Sequence, residues 1–342
     1  MKRSSISIFS PAWWPVMRAV GSALLLLLVI ETVLNGCLVG RFTRTALLRM
    51  EEMTSLEAPL IQIFGDSVSD SGINERVIAG ALGYSAAEFI NFSIPGTTAY
   101  CAYPLLKRQI EAGRVPQVVI LAYNDRSYTI PLVPKYLGRV GSWSELTEAV
   151  RFGVPLETML SSLACRVSFT LRYREELNAI ARTGEGWDYF DPGLNQPTAR
   201  AARYSALPVE PPSRRPPAVP RQINSEFHRH LFRRSPETTA SLGAFFDLAK
   251  RHGVHVYLLR MPKTEKAEEL HDKNGFNKEC VEFLDELVQK HGASWLLRRP
   301  ATLPPECFVD AVHLDAKAAF DLSLEISRLL RGAPRAPANL SQ

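Results

Sequence analysis

The chain has 342 residues, of which 46% are hydrophobic and 22% are charged, and its formal net charge is +5. This composition is typical of a folded protein with room for one large α/β domain and additions, and it excludes a chain too polar to bury a core. The basic residues form short clusters without interleaved aromatic residues, such as Arg233-Arg234 and Arg298-Arg299, so we do not expect the chain to bind nucleic acid.

An apolar stretch near the N-terminus, residues 20–40, is close to the roughly 20 residues that a membrane span needs. Trp13 and Trp14 suit an aromatic belt at a membrane interface, and basic residues flank the stretch on both sides: Lys2, Arg3, Arg18, Arg41, Arg44 and Arg49. We predict that residues 1–44 form a short cytoplasmic tail and an uncleaved transmembrane signal anchor. The nearly equal flanking charge does not by itself fix the orientation of the span.

Two alternatives to an uncleaved anchor are open. The stretch also resembles a cleaved secretory signal, and Leu34-Asn35-Gly36-Cys37 faintly resembles a lipoprotein processing site. Within the stretch, Glu31 and Asn35 are polar, which is costly in a membrane unless these residues face a partner helix or lie near the interface.

Beyond the anchor, we predict a helical stalk at 45–57 and a domain at 58–331, followed by a disordered tail at 332–342. Apolar strand patterns at 60–64, 88–94, 117–123, 255–261 and 294–297 alternate with helical patterns at 74–82, 99–112, 236–251, 277–291 and 316–330. This alternation predicts an α/β domain with an open parallel sheet.

The alternation is interrupted at 126–223, which we interpret as an insertion or lid on the domain. It contains helical patterns at 144–150 and 156–181 and a proline-rich stretch at 207–220 that is incompatible with regular helix. A loop without catalytic importance is an equally good interpretation.

Cysteines indicate neither a zinc site nor a disulfide framework. Five are present, far apart and without a C-x-x-C pair: Cys37, Cys101, Cys165, Cys280 and Cys307. We expect isolated buried thiols, with at most one or two disulfides.

The most informative motif is Gly65-Asp66-Ser67, because it follows an apolar strand and precedes a polar segment that can start a helix. A serine on such a turn is suited to act as a nucleophile if a base and a group that orients the base are near it. Asp310 and His313, separated by two residues just before the last predicted helix, are the candidates for these two roles.

These motifs resemble the signature blocks of the GDSL, or SGNH, esterase family. The first block matches the residues around Ser67, a second block ends in Gly96, a third contains Asn124, and the last is Asp310-x-x-His313; Ala122 stands where the family usually has glycine. The resemblance covers about 60–330 apart from the insertion. It implies a three-layer α/β/α fold with an open parallel, flavodoxin-like sheet, and a Ser67-His313-Asp310 triad. It also implies an oxyanion hole formed by the Ser67 N–H, the Gly96 N–H and the Asn124 side-chain amide.

Structural roles compete with these assignments. Ser67 would otherwise be a helix N-cap, and Asn124 would cap a strand end or a turn. A metal site at Asp66, Asp70 and Asp125 lacks the accompanying histidine and aspartate spacing, so we expect no metal and no cofactor.

The resemblance implies a membrane-anchored serine esterase or O-acyltransferase that acts on ester-linked acyl groups. The expected substrates are acylated glycans, such as acetylated envelope or exported polysaccharides, or small esters. The expected location is the inner membrane, with a single span and an extracytoplasmic catalytic domain. A non-catalytic anchored subunit of the same fold, binding glycan or partner proteins through the insertion, is the alternative.

Overall fold

The computed structural model describes residues 14–42, 60–85, 88–131, 134–174, 177–178 and 231–333 of the chain. The first described element, helix α1 (Trp14–Phe42), contains a 20-residue stretch, Trp14–Val33, with a mean hydropathy of 2.0. This stretch is long and apolar enough to cross a membrane, although a signal sequence has the same properties. The predicted stalk at 45–57, the proline-rich stretch at 207–220 and the tail beyond Ala333 lie outside the described residues.

A five-stranded parallel sheet forms the centre of the domain. Its strands are β1 (Ile61–Phe64), β2 (Phe89–Asn91), β3 (Val118–Leu121), β4 (His255–Leu259) and β5 (Ser294–Leu297). They lie in the order β2-β1-β3-β4-β5, and β1 pairs with both β2 and β3. This is the flavodoxin-like order, whose topological switch point lies between β1 and β3.

Helices cover both faces of the sheet. In chain order they are α2 (Ser67–Gly72), α3 (Glu75–Leu82), α4 (Ala102–Glu111), α5 (Pro134–Arg139), α6 (Trp143–Arg151), α7 (Leu156–Val167), α8 (Phe169–Arg172), α9 (Pro236–Arg251), α10 (Glu265–Lys273), α11 (Phe276–His291) and α12 (Ala316–Arg331). Alternate residues of a strand face opposite sides. Accordingly, Val119 and Leu121 pack with α4, α9 and α11, whereas Val118 and Ile120 pack with α2, α3 and α12.

The predicted fold class is confirmed, with differences at element ends. The strand predicted at 88–94 ends at Asn91, although Phe92 N and Ile94 N still donate to Ile63 O and Gly65 O. The side chain of Asn91 donates to the carbonyl groups of Ser69 and Ile73 and accepts from Ser93 N. The sequence did not predict α10, since only Ala267 and His271 of that helix are buried and no apolar stripe marks it.

Four short helices, α5 to α8, follow β3 within the predicted insertion. Helix α6 is attached to α4 by two ion pairs, Arg108–Glu145 at 2.5 Å and Lys107–Glu148 at 2.6 Å. The helical pattern at 156–181 corresponds to two helices, α7 and α8, in the described residues, because the chain leaves helical geometry at Ser168, whose side chain caps α8 by accepting from Leu171 N.

Candidate active site

Ser67 lies directly after β1, at the carboxyl edge of the sheet and at the switch point of the strand order. It is the first residue of α2 and not its cap, because Asp66 occupies the cap position and accepts from Val68 N at 2.9 Å. The N–H groups of a first helical turn have no intrahelical acceptor, so the Ser67 N–H is available to bind an anionic oxygen.

The side chains of Ser67, His313 and Asp310 form a continuous chain of hydrogen bonds. The Ser67 hydroxyl lies 3.0 Å from His313 Nε2, and His313 Nδ1 lies 2.7 Å from Asp310 Oδ2. His313 and Asp310 belong to a loop closed by an antiparallel bridge between Phe308 and Leu314, immediately before α12. The fold therefore brings together a serine and a histidine that are 246 residues apart in the sequence.

The surroundings of Asp310 fix the tautomer of His313. Burial raises the pKa of the Asp310 carboxyl, but hydrogen bonds from Val312 N, His313 N and the His313 ring together hold this pKa below its ordinary value. An ionised carboxylate only accepts hydrogen bonds, so His313 Nδ1 carries the ring proton and donates a hydrogen bond to Asp310. His313 Nε2 then presents a lone pair to the Ser67 hydroxyl.

Asp66 joins the loops that follow β1 and β3. Its Oδ2 accepts from Asn124 N at 3.0 Å and from the Ser127 hydroxyl at 2.5 Å. Asp66 is buried, and this burial raises the pKa of its carboxyl although the hydrogen bonds oppose the shift. The sequence did not indicate this role, because Asn124 and Ser127 lie 58 and 61 residues away along the chain.

The amide of Asn124 is oriented by the turn that it caps. Its Oδ1 accepts from Arg126 N at 3.0 Å, at the start of a 3₁₀ turn, Asp125–Tyr128. The oxygen must face this backbone donor, so the Nδ2 group points the other way, and it makes no hydrogen bond to any residue that the structure describes. The capping role considered from the sequence is present, and it leaves the two amide donors of Asn124 free for a ligand.

The loop after β2 lies against the first turn of the site. Gly65 O accepts from Ile94 N at 3.0 Å and from the Thr97 hydroxyl at 3.2 Å. Between these two residues, Gly96 is exposed and has a φ of +77°, a conformation that glycine adopts without strain. The turn that precedes Ser67 is therefore hydrogen-bonded both to the loop that contains Gly96 and, through Asp66, to the loop that contains Asn124.

Glycine is required at position 65 for a different reason. A Cβ atom added there would lie 1.8 Å from Ser69 Oγ and 2.8 Å from Ser93 Oγ. These two hydroxyls are buried and bonded to each other at 2.9 Å, so neither can move aside without losing that bond. The close approach of the loops after β1 and β2 therefore depends on Gly65.

Asp125 is fully buried in a cluster of charged residues behind Asn124. Its Oδ2 lies 2.6 Å from both Arg260 Nη2 and Lys263 Nζ. Although burial raises the pKa of Asp125, the charges of Lys263 and Arg260 outweigh this effect and hold the pKa well below its ordinary value. Asn277 completes the cluster by accepting from both cations. No sequence pattern indicated these partners, which are distant in the chain.

Protein groups occupy the carboxylates that a metal would need. Asp66 accepts from three protein donors and Asp125 is paired with two cations, while Asp70 lies in the first turn of α2. Within the described ranges, no three His, Cys, Asp or Glu side chains are grouped to hold a metal ion.

Four described cysteines, Cys101, Cys165, Cys280 and Cys307, are free thiols, and none belongs to this constellation. A cavity of about 820 Å³ lies at the opposite edge of the sheet, between the amino ends of β3 and β4 and the carboxyl ends of α9 and α11. It contains none of the residues that the sequence predicted for the site.

Comparisons with known proteins do not establish a family. No family model matches the chain, and no curated protein matches it. A crystal structure described as a "putative acylhydrolase" from Bacteroides fragilis NCTC 9343 is similar to this chain with a TM-score of 0.37 and 10% identity, covering 82% of this chain and 92% of that one. A similarity this low carries no argument, and the α/β assignment rests on the strand order and pairing of the chain itself.

Proposed function

We propose that this chain is a membrane-anchored serine hydrolase of the GDSL/SGNH type that acts on ester-linked acyl groups. Ser67 is the nucleophile, His313 the general base and acid, and Asp310 the group that orients His313. The observation that carries the proposal is the unbroken sequence of hydrogen bonds from Ser67 through His313 to Asp310, at 3.0 Å and 2.7 Å.

The reaction begins with attack of Ser67 Oγ on the ester carbonyl carbon while His313 Nε2 takes the hydroxyl proton. The bond to the leaving alcohol then breaks, the alcohol receives that proton from His313, and the acyl group remains on Ser67. Asp310 stabilises the protonated imidazole during both transfers. These steps need no cofactor, because the proton and the acyl group pass only between protein, substrate and acceptor.

Three donors stabilise the negative oxygen of the tetrahedral intermediate in this proposal: the Ser67 N–H, the Gly96 N–H and the Asn124 amide. The cap that Asn124 Oδ1 provides to Arg126 N supports this role, since it fixes the amide before substrate arrives. Preorganised donors of this kind act mainly on the transition state and need no rearrangement during the reaction.

The second half of the reaction determines whether the protein is an esterase or an O-acyltransferase. Either water or a sugar hydroxyl gives its proton to His313 and attacks the acyl carbon, and the bond to Ser67 Oγ breaks as that oxygen regains the proton. An extracytoplasmic domain anchored by α1 would meet acylated envelope or exported polysaccharides. We propose acetyl groups of such glycans as the substrate class.

Hydrolysis of a short-chain aryl ester tests the proposal. Ser67→Ala should lower kcat by about 10⁴-fold or more, because it removes the nucleophile. The matched control is Ser71→Ala, which deletes an exposed hydroxyl of the same helix that contacts only the Ser67 and Val68 carbonyl groups in the described structure. Hydrolysis by folded Ser67→Ala at the rate of Ser71→Ala would refute the assignment of Ser67 as the nucleophile. Absence of hydrolysis in the wild type and in both variants would favour a non-catalytic glycan-binding or partner-binding subunit.

A further inference from the structure

Exposed apolar side chains outside α1 are concentrated in the helices that follow β3. Outside α1, eight large apolar side chains are exposed among the described residues, and two of them, Leu231 and Val309, lie outside these helices. The other six lie on α6, α7 and α8 and are called the apolar platform here: Trp143, Val150, Leu156, Leu160, Val167 and Leu171. Soluble proteins rarely have their exposed apolar residues concentrated in one part of the surface, so the platform indicates an interaction site.

The platform residues share a face on each of the two longer helices. On α7, Leu156, Leu160 and Val167 are spaced by four and seven residues, which places them on one side of the helix. On α6, Trp143 and Val150 are seven residues apart and also share a side. The Arg166 guanidinium lies 4.4 Å from the centroid of the Trp143 ring, so the two helices contact each other at a tryptophan and an arginine. Amphipathic helices at membrane interfaces have this combination of apolar, aromatic and basic residues.

A polar contact connects this region to α1. Glu31 accepts from the Ser168 hydroxyl at 2.9 Å, from Phe169 N at 2.5 Å and from Thr170 N at 3.3 Å, at the start of α8. From the sequence alone, Glu31 is an acidic residue within an apolar stretch, where burial of its carboxylate in a membrane is energetically unfavourable. The contact supplies the partner that an acidic residue at membrane depth needs.

The position of Glu31 on α1 shows which part of the span the platform accompanies. Glu31 lies 17 residues after Trp14, about 26 Å along the helix at 1.5 Å per residue, and therefore in the C-terminal half of α1. If α1 spans a bilayer, this contact places α8 beside the leaflet that borders the C-terminal end of α1.

We propose that the apolar platform is embedded in the membrane surface, in the leaflet that borders the C-terminal end of α1, and that Glu31 holds it at that depth. In this arrangement the catalytic domain contacts the bilayer directly and is not connected to the membrane through α1 alone. The inference rests on the proposed anchoring through α1 and not on the chemistry of Ser67.

Spin-label accessibility in the full chain tests the proposal, with the protein in nanodiscs of phosphatidylethanolamine and phosphatidylglycerol. A nitroxide is attached at Leu160→Cys or Val167→Cys after Cys37 and Cys165 are replaced, because the other three cysteines are buried. The reference label is at Lys278→Cys, on α11, where the side chain is 79% exposed. Relaxation by oxygen reports lipid contact, and relaxation by a water-soluble nickel chelate reports contact with water.

We expect high oxygen and low nickel accessibility at both platform sites, and high nickel accessibility at the reference site. Glu31→Ala should raise nickel accessibility at the platform several-fold, because the contact that sets its depth is lost. Nickel accessibility equal to that of the reference would overturn the proposal, and an unchanged value in Glu31→Ala would overturn the role of Glu31.

Low accessibility to both reagents would identify a protein surface, such as a second copy of the chain, and would also overturn the proposal. Failure of the chain to enter nanodiscs would contradict the anchoring itself before any label is read. None of these outcomes depends on catalysis, so they remain distinct from a failure of the Ser67 assignment.

Discussion

Replacing Asp66 with asparagine isolates the link between the loops of the candidate site. The carboxylate accepts from Val68 N through Oδ1, and from Asn124 N and the Ser127 hydroxyl through Oδ2. An amide of the same shape offers one oxygen and one NH₂ group. In either orientation of that amide, a backbone N–H of Val68 or Asn124 faces another donor and loses its acceptor.

The expected cost follows from these contacts. A hydrogen bond to a charged group contributes about 1.5–3 kcal/mol, and a buried N–H left without an acceptor costs about 1–3 kcal/mol. Part of the loss is offset, because burial raises the pKa of Asp66 and the neutral amide removes the cost of burying its charge. We expect a net loss of about 2 kcal/mol in the free energy of unfolding, which lowers Tm by about 4–8 °C.

Activity should fall as well, because Asn124 is held to Asp66 through its backbone N–H. Displacement of a catalytic group by about 1 Å costs on the order of 100-fold in rate, so we expect kcat of Asp66→Asn to fall 10- to 100-fold. The assays are thermal unfolding and aryl ester hydrolysis in the same detergent.

Asp321→Asn is the matched control for Asp66→Asn. It makes the same chemical change in an exposed ion pair with Lys317, where the loss should be about 0.3–0.5 kcal/mol. If Asp66→Asn matched Asp321→Asn in both Tm and kcat, the carboxylate would not be what holds the loops together.

Three further predictions concern the oxyanion donor, the buried charges and the membrane. Asn124→Ala should lower kcat about 10²- to 10³-fold with little change in KM, and Asn124→Asp should be at least as damaging; a change in KM alone would indicate a substrate-binding role. Asp125→Asn removes the buried anion shared by Arg260 and Lys263, and of the two cations only Lys263 keeps a carboxylate within 4 Å in the described structure, Glu268 at 3.6 Å. The free energy of unfolding at pH 7 should therefore fall by about 3–5 kcal/mol. Because folding lowers the pKa of Asp125, its contribution to the free energy of unfolding is present above about pH 4 and is lost as the pH falls below that value. In urea titrations, the free energy of unfolding of Asp125→Asn should therefore fall less steeply with decreasing pH than that of the wild type. An equally steep fall would contradict this prediction. A reporter fused after Gln342 should be active outside the cytoplasm, and cytoplasmic activity alone would overturn the orientation.

The parts of the fold that were predictable from the sequence are those with a strong local pattern. Strands β1 and β3 are buried throughout, as expected for central strands of a parallel sheet, and α9 and β5 have the bounds that their apolar patterns predicted. Helix α10 was missed because a polar helix lacks such a pattern.

The site was predictable only where its residues form short motifs. The Asp66–Ser67 turn and the Asp310–His313 pair could be located, and the structure places the two within hydrogen-bonding distance. In contrast, the contacts of Asp125 with Arg260 and of Glu31 with Ser168 join residues 135 and 137 apart. Such pairs arise from tertiary packing, and one sequence contains no signal that links their members.

The most direct measurement for the central claim is the location of a covalent fluorophosphonate adduct. The probe reacts with a serine hydroxyl that a neighbouring base has activated, and His313 Nε2 at 3.0 Å is that base for Ser67. After labelling of the full chain, digestion and mass spectrometry should find the adduct on Ser67, and it should be lost in both Ser67→Ala and His313→Ala. An adduct on another serine, or equal labelling of wild type and Ser67→Ala, would contradict the assignment of Ser67 as the nucleophile.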